Sequence, residues 1–168
     1  METAQIISLV AAKTGASPVK YKQHELRDFS ACIGHEDVRD YLTCCLPAER
    51  YSASSVSVHN LDRIRGEVCE GAGPGGFIFP HGYVVIASSV GGNAICFHSP
   101  SGRVFWADHE SFTRESISYK DRATRKWCYL PFTPENIQRA VVQLSDNIEA
   151  FLKELLSDKL EKQFDALD

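Results

Sequence analysis

Apolar residues in the first third of the chain recur at helical spacing. The run AQIISLVAA at residues 4–12 predicts a short helix that ends near Gly15. A second helix of about three turns is predicted from Glu36, and it ends at Pro47 because proline cannot continue a helix. The apolar face of this second helix consists of Val38, Tyr41, Leu42 and Cys45. Residues 19–34, between the two helices, show no regular pattern.

The middle third carries the patterns of β-strands. SVSVHNL at residues 55–61 alternates valine with polar residues, which predicts a half-exposed strand. Two largely apolar runs, at residues 77–79 and 83–90, favour a strand that is buried on both faces in the centre of a sheet. The glycine-rich segment 71–76 lacks both the residue order and the lysine of a phosphate-binding loop, so we interpret it as a turn.

The segment GGNAICFHSPSGRVFWADHESF, residues 91–112, continues the predicted sheet. Its two leading glycines form a turn, residues 93–98 a strand, residues 99–102 another turn, and residues 103–107 a third strand. The glycines permit backbone angles that other residues resist. The aromatic side chains of the segment are expected in the core, and they are Phe105, Trp106 and Phe112.

Helical signals dominate the last third. Thr133, Pro134 and Glu135 supply an N-cap residue, a proline at the first helical position and an early acid. A second helical segment follows the capping residues 145–147, and its apolar stripe should cover one face of the sheet. That stripe consists of Ile148, Phe151, Leu152, Leu155 and Leu156. The basic segment 120–126, which precedes these helices, is interpreted as a solvated loop.

The order of the elements predicts the fold class. Two helices, then strands, then helices indicate an α+β fold rather than repeated βαβ units. We expect a single domain with a central antiparallel or mixed β-sheet of about four to six strands, packed by helices from both termini. Residues 1–34 are predicted to form an N-terminal extension with a short helix, and residues 35–168 the α+β domain.

Composition narrows the classes of function. The 168 residues suffice for one substantial core. The 18 Lys and Arg against 22 Asp and Glu give a formal charge of −4, which disfavours a nucleic-acid partner and favours a basic one. No run approaches the ~20 apolar residues of a membrane span, the start METAQ does not resemble a signal peptide, and the six cysteines include no CxxC pair. We therefore expect a cytoplasmic protein with reduced thiols.

Candidate metal ligands occur in and just after the predicted hairpin, and they are Cys96, His98, Asp108 and His109. A tight turn joins the two strands, so Asp108 should lie at the far end of the hairpin from His98. The sequence contains no GxSxG nucleophile elbow, and HEDVRD at residues 35–40 lacks the second histidine of a zincin helix. We therefore expect no catalytic residue, no metal and no cofactor.

The run Asp108-His109-Glu110 has two interpretations. The first is a helix N-cap that follows the strand, which the sequence favours. The second is an acidic contact site for a protein partner, because charged residues beside a sheet edge are accessible to one. Both interpretations stay open at this level.

Residues 91–112, preceded by GYVVIASSV and followed by LSDNIEAFLKELL, resemble the SMI1/KNR4 family, also called the SUKH superfamily. Members of this family show a helix ending in Leu-Pro, an apolar strand, a Gly-Gly turn, a strand, a Gly turn, an aromatic strand and a closing helix with a Phe-Leu pair. Here these features are Leu46-Pro47, residues 83–90, Gly91-Gly92, residues 95–97, Gly102, residues 104–106 and Phe151-Leu152. The resemblance covers about residues 35–157.

The resemblance implies an α+β domain without catalytic machinery. For many bacterial members it implies an immunity protein that binds and neutralises a toxin, often a nuclease, and fungal relatives are regulatory interaction proteins. We expect a non-enzymatic protein-binding module in which an acidic surface that includes Asp108, His109 and Glu110 covers a basic toxin domain. Alternatives are a regulatory or scaffolding protein that docks through residues 1–34, and a metal-dependent hydrolase that uses His98 and His109. The sequence leaves the oligomeric state open.

Overall fold

A computed structural model of the chain describes residues 3–15, 18–29, 36–53, 55–69, 73–121 and 123–156, together with Leu160 and Phe164. Its helices are α1 (Thr3–Thr14), α2 (Glu36–Cys44), α3 (Leu61–Cys69), α4 (Pro74–Ile78), α5 (Pro134–Ala140) and α6 (Ile148–Leu156). Its strands are β1 (Tyr51–Ala53), β2 (Val56–Val58), β3 (Tyr83–Ser89), β4 (Ala94–His98), β5 (Arg103–Ala107), β6 (Ser116–Lys120), β7 (Trp127–Pro131) and β8 (Val141–Ser145). Short 3₁₀ helices occur at Gln23–Phe29, Phe79–His81 and Val90–Gly92.

The strands form two antiparallel sheets. Six of them make the central sheet in the order β1-β2-β3-β4-β5-β8, and β6 pairs with β7 in a separate hairpin. The predicted α+β fold with a central sheet of this size is confirmed. The predicted turns after β3 and β4 are confirmed as well, and Gly91, Gly92 and Gly102 have positive φ angles there.

Helices from both termini cover one face of the central sheet. The side chains of Val84 and Ile86 in β3 join a core with Tyr41 of α2 and Phe151 of α6. The ring of Tyr41 meets that of Phe97 edge to face, with the ring centres 6.4 Å apart. Four residues of the apolar stripe predicted for the last helix belong to this core, as expected, and they are Ile148, Phe151, Leu152 and Leu155. The side chain of Leu156 lies outside the described part of the chain. Asn147 caps α6 by accepting a hydrogen bond from the amide of Ala150.

A second layer covers the opposite face of the same sheet. Here the alternate residues of β3, Tyr83 and Val85, pack with Ile78 of α4, Ile117 of β6 and Ile137 of α5. Because β3 is buried on both faces, its sequence is apolar without alternation. The prediction of a doubly buried strand is confirmed for Tyr83–Ser89, whose first five residues are buried, whereas Val90 lies in a 3₁₀ helix and is 73% exposed.

The structure contradicts part of the prediction for residues 55–61. The strand predicted at 55–61 is not half-exposed, because Ser57 and His59 are buried. It is shorter than predicted, and Leu61 begins α3, whose first turn is capped by Asn60 accepting a hydrogen bond from the amide of Arg63.

The glycine-rich segment was also predicted wrongly in part. Residues 71 and 72 lie outside the described residues, whereas Pro74 opens α4, as proline at a first helical position does. The apolar run 77–79 is helical rather than extended. The last third is not wholly helical either, because it contains β6, β7 and β8.

The N-terminal helix contacts the rest of the molecule. α1 packs against α2 and α6, and Val10, Leu26 and Phe29 belong to the core of the first face. The division into an extension, residues 1–34, and a domain, residues 35–168, stays a prediction. No helix among the described residues is both long enough and apolar enough to cross a membrane.

Candidate partner-binding site

The hairpin β6–β7 has one packed face and one exposed face. Its register pairs Ile117 with Leu130 and Lys120 with Trp127. Ile117 is fully buried and bridges to Phe112, which anchors the hairpin on the second layer. On the opposite face, Trp127 is 51% exposed and Tyr129 is 73% exposed. Large aromatic side chains that are exposed to solvent on one strand form a surface typical of partner contacts.

The loop between Asp121 and Lys126 is held by hydrogen bonds of its own. The amide and the hydroxyl of Thr124 both donate to Asp121 Oδ1, at 2.7 Å each. The Thr124 side chain and amide thereby lower the pKa of the Asp121 carboxyl. Arg125 has a φ angle of 57°, a left-handed conformation that is costly for a residue with a side chain. The loop therefore presents an arginine where its backbone suits glycine or asparagine.

A groove of about 1120 Å³, here called the hairpin groove, lies beside this loop. Trp106 of β5 and Trp127 of β7 line it, together with Ala140, Val141 and Gln143 at the junction of α5 and β8. The groove lies where the hairpin β6–β7 meets β5 and the edge strand β8 of the central sheet. A partner that lies on the exposed face of the hairpin can therefore also enter this groove.

The charged side chains at the hairpin groove differ in whether they already have a partner within the chain. Asp108 and Asp121 line the groove, but each accepts a hydrogen bond from a nearby backbone amide. Four cations lie on the hairpin and on α5, and within the described part of the chain none of their side chains forms an ion pair or hydrogen bond. These cations are Lys120, Arg125, Lys126 and Arg139. The hairpin thus offers positive charge to a partner, although the chain as a whole is acidic.

The predicted contact residues form a turn at the edge of the hairpin groove. The amide of Glu110 donates to Asp108 Oδ1 at 2.8 Å, so Asp108 closes a turn, and the favoured interpretation as a helix N-cap is wrong. Asn93 Oδ1 accepts from the amide of His109 at 3.1 Å and lies 2.9 Å from its Nδ1. Glu110 points into solvent with 77% of its side chain exposed. The role of all three residues in partner binding stays a prediction.

The candidate metal ligands are dispersed. His98 pairs with Arg103 and Ala94 with Ala107, so Asp108 lies at the opposite end of the hairpin from His98, as predicted. His98 stacks on Tyr83 with ring centres 4.2 Å apart and shares a hydrogen bond with Ser101 at 2.8 Å.

Burial shifts the pKa values of two of these candidate ligands. Burial raises the pKa of the Cys96 thiol and lowers the pKa of His98, so both favour their neutral forms. Among the residues that the structure describes, no three His, Cys, Asp or Glu side chains gather as a metal site would require.

The sequence analysis missed Trp127 and Tyr129. The sequence carried a signal for a strand, because aromatic residues such as Trp127 and Tyr129 favour β-structure, but it did not show which face is exposed, since residues 127–130 are all apolar. The basic loop before it and the capped helix after it obscured this pattern.

Comparisons with models of protein families, with curated proteins and with solved structures find no match for this chain.

Proposed function

We propose that this chain is a non-enzymatic protein-binding module, an immunity protein that binds and neutralises a toxin domain. The observation that carries the proposal is the exposed pair Trp127 and Tyr129 on an otherwise anchored hairpin beside the hairpin groove. Rigid aromatic side chains supply much of the energy of protein interfaces when a partner covers them. The resemblance of residues 91–112 to the SMI1/KNR4 family supports the immunity role.

Two oppositely charged patches adjoin the hairpin groove. Glu110 is acidic and exposed on one side, and Lys120 and Arg125 are basic on the other. A partner with complementary charges is thereby oriented as well as attracted, because each patch repels the part of the partner that carries the same sign of charge. The net charge of −4 attracts a basic toxin domain from a distance.

The proposed mechanism is occlusion. The toxin domain is held against the hairpin and its substrate groove is covered, so no bond is made or broken and no cofactor takes part. The proposal places the chain in the cytoplasm, where it meets the toxin before or after delivery.

An affinity pull-down from the native host lysate tests the proposal. The purified chain is the bait, and mass spectrometry identifies the retained proteins. The double variant Trp127→Ala/Tyr129→Ala is expected to retain at least about tenfold less of a toxin domain. Lys153→Ala, on α6 across the sheet, is the matched control, and its capture should equal that of the wild-type chain.

The charged turn is tested in the same assay. Glu110→Lys should weaken capture without unfolding the chain, because Glu110 holds the turn through its backbone groups, and its side chain is 77% exposed with only a 3.8 Å contact to His109 Nε2. If Trp127→Ala/Tyr129→Ala captures as much toxin domain as the wild-type chain does, this binding site is rejected. Capture of a host signalling or envelope-synthesis complex in place of a toxin would favour the regulatory alternative over the immunity role. If no protein is captured, both the immunity role and the regulatory alternative are rejected.

A further inference from the structure

The outer edge of β7 carries backbone groups that β6 does not use. The amide of Asp121 donates to the carbonyl of Lys126 at 2.8 Å, and the amide of Phe132 donates to the carbonyl of Glu115 at 3.2 Å. Because hydrogen-bonded pairs alternate along an antiparallel ladder, Cys128 and Leu130 turn their backbone groups toward β6. Trp127 and Tyr129 therefore turn their amides and carbonyls away from it.

This edge is open over a short and defined length. Within the described residues β7 pairs with β6 alone, whereas the other edge of β6 is covered by residues 111–113. Pro131 ends the open stretch, since it lacks an amide hydrogen and its carbonyl accepts from Asn136 Nδ2 at 3.0 Å. An open edge strand is a template for one more strand, and the proline limits how long that strand can be.

Resting on the proposed protein-binding function, we propose that the partner binds by adding an extended, acidic segment to the outer edge of β7. The segment exchanges backbone hydrogen bonds with Trp127 and Tyr129, and its side chains contact the exposed faces of these two aromatic rings. Strand addition of this kind draws affinity from main-chain hydrogen bonds and specificity from the side chains beside them.

Charge complementarity assigns the acidic character of the segment. Lys120 lies directly across the ladder from Trp127, and Arg125 and Lys126 occupy the loop at the same end. None of these three side chains has an ion-pair partner among the described residues, so carboxylates of an added strand can reach cations that the fold leaves available.

Single-stranded nucleic acid also matches aromatic side chains next to cations. The open backbone edge favours a polypeptide, since amides and carbonyls in strand register pair with another peptide backbone and not with stacked bases. The experiment therefore includes an oligonucleotide as the competing probe.

A displayed library of random peptides of about ten residues tests the inference on the full chain. Enriched peptides are expected to alternate carboxylates with apolar residues. Their affinity is then measured for Tyr129→Ala, which loses the ring but keeps the amide, and for Tyr129→Pro, which loses both. Proline is compatible with β6 pairing here because the missing amide points outward.

Strand addition predicts that Tyr129→Pro binds the enriched peptides at least about tenfold more weakly than Tyr129→Ala. It also predicts that bound peptide slows hydrogen exchange of the Trp127 and Tyr129 amides in the wild-type chain. Equal binding by the two variants, enrichment of basic peptides, or tighter binding of an oligothymidine probe than of any peptide each overturns the inference.

The two proposals fail separately. A toxin domain captured equally well by Tyr129→Pro and Tyr129→Ala leaves the immunity role intact and removes strand addition. Peptides that bind β7 as expected, with no protein captured from the lysate, leave strand addition intact and remove the immunity role.

Discussion

At the scale of single residues, His59 shows how an assignment from local pattern can be reversed by burial. Alternation placed this side chain on a solvent face, yet it is 1% exposed. Its Nε2 lies 3.2 Å from the Ser88 hydroxyl, and its Nδ1 has no hydrogen-bond partner among the residues that the structure describes. Burial, with Arg63 and Arg50 nearby, lowers the pKa of His59 to about 4.

This shift makes stability depend on pH. The folded pKa of about 4 lies below the ordinary value of 6.5, so between these values the unfolded chain binds the proton more readily. The free energy of unfolding should fall by up to about 3 kcal/mol as the pH drops from 6.5 to 4. Urea unfolding at several pH values measures this change in the free energy of unfolding.

The variant His59→Gln supplies the control, since glutamine keeps a polar amide but does not titrate. Subtracting its pH profile removes the contribution of the carboxyl groups, which titrate in the same range. Parallel profiles for the wild-type and variant chains would show that His59 is not responsible.

At the scale of elements, the hairpin β6–β7 contains a loop with a backbone conformation that is unfavourable for one of its residues. Arg125 occupies a left-handed conformation with φ of 57°, which costs a residue with a side chain about 1 kcal/mol. Thr124 and Asp121 fix the loop by their hydrogen bonds, so the strain is imposed by the hairpin.

Arg125→Gly should therefore raise the free energy of unfolding by up to about 1 kcal/mol while weakening the binding of acidic peptides. Chemical unfolding and peptide titration measure the two effects. Lys126→Gly is the matched control: it also removes a charge, but its backbone is not left-handed, so it should lower stability. A loss of stability in both variants would contradict the assignment of strain to Arg125.

At the scale of the whole molecule, the second layer of the sheet depends on a close approach of backbones. A Cβ atom on Gly75 of α4 would lie 2.9 Å from the carbonyl oxygen of Glu67 in α3 and 3.1 Å from Val85 Cγ2 in β3. Only glycine allows α4 to pack this closely against both elements. The sequence 71–76 was interpreted as a turn because this packing constraint is not visible along the chain.

Gly75→Ala is expected to lower the free energy of unfolding by about 1–3 kcal/mol, because the backbone of Glu67 cannot move aside freely. Gly92→Ala serves for comparison, since a Cβ there meets no atom of the described residues within 4 Å and costs only the strain of a φ angle of 87°. Thermal unfolding of both variants measures the difference. A smaller loss for Gly75→Ala than for Gly92→Ala would contradict the close packing of α4.

The sequence by itself determined the elements whose signals are local. Helix α2, the cap at Thr133, the turns at Gly91-Gly92 and Gly102, and the doubly buried strand β3 all follow from periodicity, capping and turn chemistry. It also placed Asp108 away from His98, because strand register follows from a tight turn.

Tertiary structure decided the rest, since burial and pairing depend on residues distant in the chain. β8 forms because Val141 and Val142 pair with β5, although they directly follow a helix. His59 is buried because the fold closes around it. Trp127 and Tyr129 form the candidate site because the described residues cover only the opposite face of their hairpin and leave the outer edge of β7 open.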